Sequence, residues 1–148
     1  MLNKSIAAVS LLAIALVLQT TLGNIFDIKI DISLAALVAA SFFLGFLELL
    51  FLVAAAVFFL NWQPVLSLDI AIFALIPVAA YFVRNTFPWQ PWVSNLILII
   101  TGTILSYIIF GTSVFAVKPE IFVWDILGSI IFGLFAFRLL NFVQSHDI

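Results

Sequence analysis

Residues 42–52 read FFLGFLELLFL, and Glu48 is the one charged residue in the run from Ile32 to Leu60. That run is 29 residues long. As a single helix rising ~1.5 Å per residue it would measure about 43 Å, well beyond a hydrocarbon core of ~30 Å. Two short helices broken near Gly45–Glu48 fit the bilayer better. The break makes Glu48 the polar marker of a tight turn at one membrane surface, rather than an ion-binding carboxylate at mid-bilayer.

Composition sets the class. Hydrophobic residues are 66% of the 148 and charged residues 8%, against about a quarter charged in soluble domains. Mean hydropathy is +1.38. A chain this short cannot hide so much apolar surface in a soluble fold, because small domains keep a high surface-to-volume ratio. The expectation is an all-α, polytopic integral membrane protein, one domain built as a six-helix bundle. No basic patch is available to follow a phosphate backbone, which argues against nucleic-acid binding. Cysteine is absent and the single histidine, His146, lies near the end, in what reads as a frayed tail. No metal-binding histidine pair, nucleophile elbow, phosphate-cradling glycine loop or Cys–His couple is present. The chain is therefore expected not to be an enzyme and to hold no cofactor or metal. The opening MLNKSIAAVSLLAIALVLQTTLGN has the basic flank of a signal peptide but an apolar stretch long enough to span, so it reads as a retained first helix.

The expected spans are 5–22, 32–45, 48–60, 65–83, 93–110 and 121–140, separated by GNIFDIKID, the Gly45–Glu48 break, NWQP, RNTFPWQPW and KPE. Basic residues prefer the cytoplasmic side of short loops. Six spans place Lys4, Arg84 and Arg138 inside and Lys29 and Lys118 outside, with both termini cytoplasmic. An unsplit run reverses the bias, so charge also favours the split. Asp27, Asp31, Asp69, Glu120 and Asp125 then lie outside. Trp62, Trp89, Trp92 and Trp124 fall at predicted span ends, where an indole anchors well at headgroup level.

Ionisable groups inside a membrane are functional candidates because burying them is costly. Glu48 and Asp125 are the two here, and Asp125, beside Trp124 at the start of the last span, reads as interfacial. Gln19, Asn95 and Asn141 are placed to hydrogen-bond between helices. The pairs Ala36/Ala40, Ser41/Gly45, Gly102/Ser106 and Ser129/Gly133 each put two small residues on one helix face, allowing close helix approach. Pro77 removes a backbone hydrogen bond in mid-span and is expected to kink that helix. The positions singled out for helix packing or turns are Gln19, Gly45, Glu48, Arg84, Asn95 and Arg138.

The order of these features resembles the rod-shape-determining MreD family. ALVLQTTL closes the first span, and a short loop leads into DISLAALVAASFFLGF. FALIPVAAYFVRNTFPWQPWVSNLILIITGTILSYIIF is similar to the family's fourth and fifth spans with their Arg- and Trp-bearing loop, and WDILGSIIFGLFAFRLLNF to its last helix. The family often follows Gly-Phe with a second glycine and an aspartate. Here Leu49 and Val53 stand in those places, so no role of that aspartate passes to Glu48. The resemblance implies a non-catalytic scaffold of the bacterial inner membrane that helps regulate cell shape and peptidoglycan synthesis. Its implied partners are a bitopic MreC-like protein, the elongation synthase of RodA and a penicillin-binding protein, and indirectly the actin-like MreB. The implied fold is similar to the six-helix substrate-binding components of energy-coupling-factor vitamin transporters. A subunit of that transporter type is the alternative function, kept open by Asp27, Asp31, Asp69 and Trp62 in the outer loops.

Overall fold

The computed structural model describes residues 2–26, 31–60, 68–110 and 119–146, and among these it is all-helical. Six helices follow in order: α1 (Leu2–Phe26), α2 (Ile32–Ser41), α3 (Phe46–Leu60), α4 (Leu68–Val83), α5 (Pro91–Phe110) and α6 (Pro119–His146). Three of them, α1, α5 and α6, are long and apolar enough to cross a membrane, while α2, α3 and α4 are shorter apolar helices. The expected break is present. Residues 42–45 form the turn between α2 and α3, so the helices run 32–41 and 46–60 where 32–45 and 48–60 were expected. Trp62, Asp27, Lys29 and Lys118 lie outside the described residues.

The order of burial explains the architecture. All ten residues of α2 are buried. Its composition permits this, since Ser33, Ala35, Ala36, Ala39, Ala40 and Ser41 are small enough for neighbouring helices to close in on every side. Around it stand the other five helices, each in contact with it. The face α1 turns inward is Ala8, Leu11, Leu12, Ala15 and Leu16, spaced as one stripe of a 3.6-residue helix. The opposite face of α1 (Val9, Ile14 and Val17) is exposed. The stripe interleaves alanine with leucine.

Two glycines set the closest approaches. A Cβ at Gly102 on α5 would stand 2.8 Å from Ile76 Cγ2 of α4, and one at Gly133 on α6 would overlap Ile99 Cδ1 of α5. α4 continues through Pro77, which is fully buried. At the other end of the chain, α6 remains helical through His146, whose ring packs on Phe142 with centroids 4.1 Å apart. The tail expected to fray is therefore part of the last helix. Trp89, Trp92 and Trp124 are exposed near helix starts, where the sequence placed them.

Candidate functional site

A helix leaves four N–H groups and four C=O groups without intrahelical partners at its ends. Water is scarce around a helix as enclosed as α2, so the protein must supply those partners itself. The polar residues of this chain meet where that need arises.

At the amino-terminal end of α2, the N–H of Asp31 donates to Asp125 Oδ1 at 2.7 Å. Ser33 donates twice to Gln19 Oε1, through its N–H at 3.0 Å and its hydroxyl at 2.6 Å. Leu34 and Ala35 donate backbone N–H groups to the Asp31 carbonyl. Gln19 Nε2 reaches Asp31 Oδ1 at 3.5 Å, and the Ser129 hydroxyl donates to Asp125 Oδ1 at 3.4 Å. Tyr107 lies near enough for its phenol to interact with the Asp125 carboxylate. Asp125 and Ser129 are both 0% exposed. Asp125 is thus enclosed by protein rather than turned toward lipid or solvent. It comes nearly two helical turns into α6, on the face turned to α2, while its neighbour Trp124 points outward at 59% exposure. The helix dipole it complements is that of α2 and not only that of its own helix.

At the carboxyl-terminal end every one of the last four carbonyls has a partner. Ser41 Oγ donates to the Val38 carbonyl at 2.6 Å. The N–H of Phe42 takes the Ala39 carbonyl, and those of Phe43 and Leu44 take that of Ala40. Arg84 Nη1 donates to the Ser41 carbonyl and, at 3.4 Å, to that of Leu44. The guanidinium also lies over the Tyr81 ring, 4.1 Å from its centroid, a cation–π arrangement. α2 therefore carries an acid at its positive end and a cation at its negative end, the pairing its dipole favours.

Glu48 sits one turn beyond. Its Oε2 accepts the N–H of Gly45 at 2.9 Å, and its Oε1 accepts the Ser5 hydroxyl at 2.8 Å. The first contact is the back half of a capping box, with the acid at the third helical position reaching the residue before the helix. The second ties the start of α1 to the α2–α3 turn. Phe42 and Phe43 press the same turn onto Phe137 of α6, with ring centroids 5.8 and 4.9 Å apart.

The remaining predicted positions are scattered. Asn95 is fully buried and donates from Nδ2 to the Gly133 carbonyl at 3.4 Å, which bridges α5 and α6. Arg138 is exposed and borders a 560 Å³ groove with Trp92, Phe135 and Asn141. Gly45 and Glu48 belong to one turn, and Gln19 stands at the opposite end of α2 from Arg84. The sequence pattern places Asp31 in an outer loop and Ser129 in a small-residue pair without giving either a capping role, and it passes over Ser33 and Tyr107. One signal could have found two of them, because Asp31 precedes an apolar helix and Ser33 follows two residues later, in helix-start chemistry.

Compared with protein-family models, curated proteins and solved structures, the chain matches none. The site stands on its geometry, and that geometry is a pair of polar clamps on one buried helix. A consequence is measurable at Gln19. Replacement by leucine keeps the volume but leaves the Ser33 N–H and hydroxyl without their acceptor. The expected loss is about 1–3 kcal/mol, read as a lowered melting temperature of the purified protein. A melting temperature equal to the parent's would show that the contact contributes nothing.

Proposed function

We propose that the protein is a non-catalytic membrane scaffold of the bacterial cell-elongation machinery, of the MreD type, that docks a bitopic MreC-like partner. The observation that carries this reading is the division of labour between inside and outside. The charged groups Asp125 and Arg84 are turned inward onto the ends of α2. The outward chemistry is large and apolar, with Phe58, Ile131, Phe135 and Phe142 all more than half exposed. Such surfaces recognise other helices by shape and contact area, with aromatic rings supplying much of the area. The order of sequence features supports the same reading. In it the six helices all serve as spans, the short α2 enclosed by its neighbours and α3 open on one face at Leu47 and Phe58. The termini and Arg84 lie on the cytoplasmic side of the inner membrane, and the RodA–penicillin-binding-protein synthase is reached through the partner.

Depletion of the protein in a rod-shaped host is expected to give round cells, and affinity purification from membranes is expected to recover a bitopic coiled-coil protein. Unchanged rods together with loss of uptake of a vitamin would overturn this reading in favour of a transporter subunit.

A further inference from the structure

A groove of 640 Å³ runs along the surface between α1 and α3. Its floor is Leu12, Leu16, Leu44 and Leu52, all buried, and its walls include Val9 and Phe51, exposed by 54% and 78%. One end is closed by the hydrogen-bonded pair Ser5 and Glu48, and the other is reached at Leu16 and Phe59. From Ser5 to Leu16, and from Glu48 to Phe59, the chain rises about 16 Å at ~1.5 Å per residue. That is about half of a ~30 Å hydrocarbon core, the depth of one leaflet. Among the described residues the lining of the groove reaches no further than Leu16 on α1 and Phe59 on α3. A partner helix crossing the membrane would need a seam about twice as long, whereas an acyl chain of one leaflet needs this length.

The polar end has its own specificity. A carboxylate offers about four lone-pair sites, and the Ser5 hydroxyl and Gly45 N–H use two of those on Glu48. The side chain is partly exposed, so a further donor can reach it from outside. Lys4 immediately precedes Ser5 on α1 and brings a positive charge to the same end of the groove. A headgroup that carries an ammonium and a phosphate matches this pair, and a purely anionic headgroup does not.

The geometry points to a binding site for one phospholipid with an ammonium headgroup, of the phosphatidylethanolamine type. Its acyl chain lies between α1 and α3, its ammonium on Glu48 and its phosphate toward Lys4. This inference stands on the groove and does not depend on the cell-shape reading.

The test uses the full-length protein in detergent, supplied separately with palmitoyl-oleoyl phosphatidylethanolamine and phosphatidylglycerol and read by native mass spectrometry. One phosphatidylethanolamine is expected to stay bound at collision energies that strip phosphatidylglycerol. Glu48→Gln keeps the capping contact, since glutamine also serves at that position, and is expected to lower phosphatidylethanolamine retention about fivefold. Ala13→Trp combined with Ala55→Trp fills the groove from two exposed wall positions and is expected to abolish retention. Equal retention of the two lipids by the parent protein would overturn the site, as would undiminished phosphatidylethanolamine in either variant. A photo-crosslinking amino acid at position 55, activated in native membranes, separates the possible occupants. An adduct of lipid mass supports the site, and a protein adduct in its place assigns the groove to a partner helix and overturns it.

Discussion

Asp125→Leu and Arg84→Leu are each expected to destabilise the protein by about 1.5–3 kcal/mol, the range for removing a hydrogen bond to a charged group. The reason is the position of α2. Ser41 is fully buried, so its carbonyl released by Arg84→Leu finds no bulk water in exchange, while the Asp31 N–H released by Asp125→Leu loses its acceptor at the part-buried mouth of the same helix. Asp125→Asn is expected to cost less than Asp125→Leu, because an amide oxygen still accepts from the Asp31 N–H. Arg84→Lys is expected to recover only part of the Arg84 effect, since a single ammonium replaces a fork that reaches both Ser41 and Leu44 while lying over Tyr81. Melting in detergent measures all four variants. The two clamps sit at opposite ends of a helix about 15 Å long, share no partner, and should combine nearly additively. A full-strength effect on function from Asp125→Asn with no change in melting would instead mark Asp125 as a ligand-handling group and defeat the structural account.

Much of this arrangement is legible in the sequence, and the part that is not has a physical cause. The α2–α3 break follows from length alone, since a largely apolar run of 29 residues overfills a bilayer, and Gly45–Glu48 supplies the turn chemistry. Gln19 is legible too, because it extends the Ala8, Leu12, Ala15 and Leu16 face by one more turn. Asp125 is harder. Four residues into an apolar helix, a carboxylate suits an interface as well as it suits a buried cap. The deciding clue is its register with Ser129 and Gly133, which continues into Ala136, Phe137 and Leu140, all on the buried side of α6. On α5 the matching stripe is Asn95, Ile99, Thr103 and Tyr107, again every fourth residue and buried throughout. Arg84 is the limiting case. Charge bias assigns it a side of the membrane, but the carbonyl it caps belongs to Ser41, 43 positions away, and no local pattern encodes that.

Gly133→Ala is expected to cost about 1–3 kcal/mol, the range for inserting a methyl group into a packed interior, and Gly133→Leu considerably more. The added Cβ would overlap Ile99 Cδ1 and stand 3.6 Å from the Ala35 Cβ. Two neighbours therefore respond differently. Ile99 can change rotamer or be trimmed, whereas the Ala35 Cβ is at ordinary contact distance from an added methyl and is crowded only by a larger side chain, against an α2 held at both ends by Asp125 and Arg84. Displacing α6 also stretches the bond from Asn95 Nδ2 to the Gly133 carbonyl, already 3.4 Å long. Ile99→Ala in the parent background opens a cavity beside the glycine and is itself destabilising. In the Gly133→Ala background the same change removes the overlapping atom, so the double variant should be more stable than the sum of the single losses implies. A coupling of about 1 kcal/mol or more in that cycle is expected for residues in direct contact. Strict additivity would mean that the crowding at Gly133 comes from the fixed α2 backbone and not from Ile99. In that case Gly133→Leu should be lost to folding even with Ile99 trimmed, and the close approach of α6 to α2, rather than the shape of one side chain, would be what requires glycine.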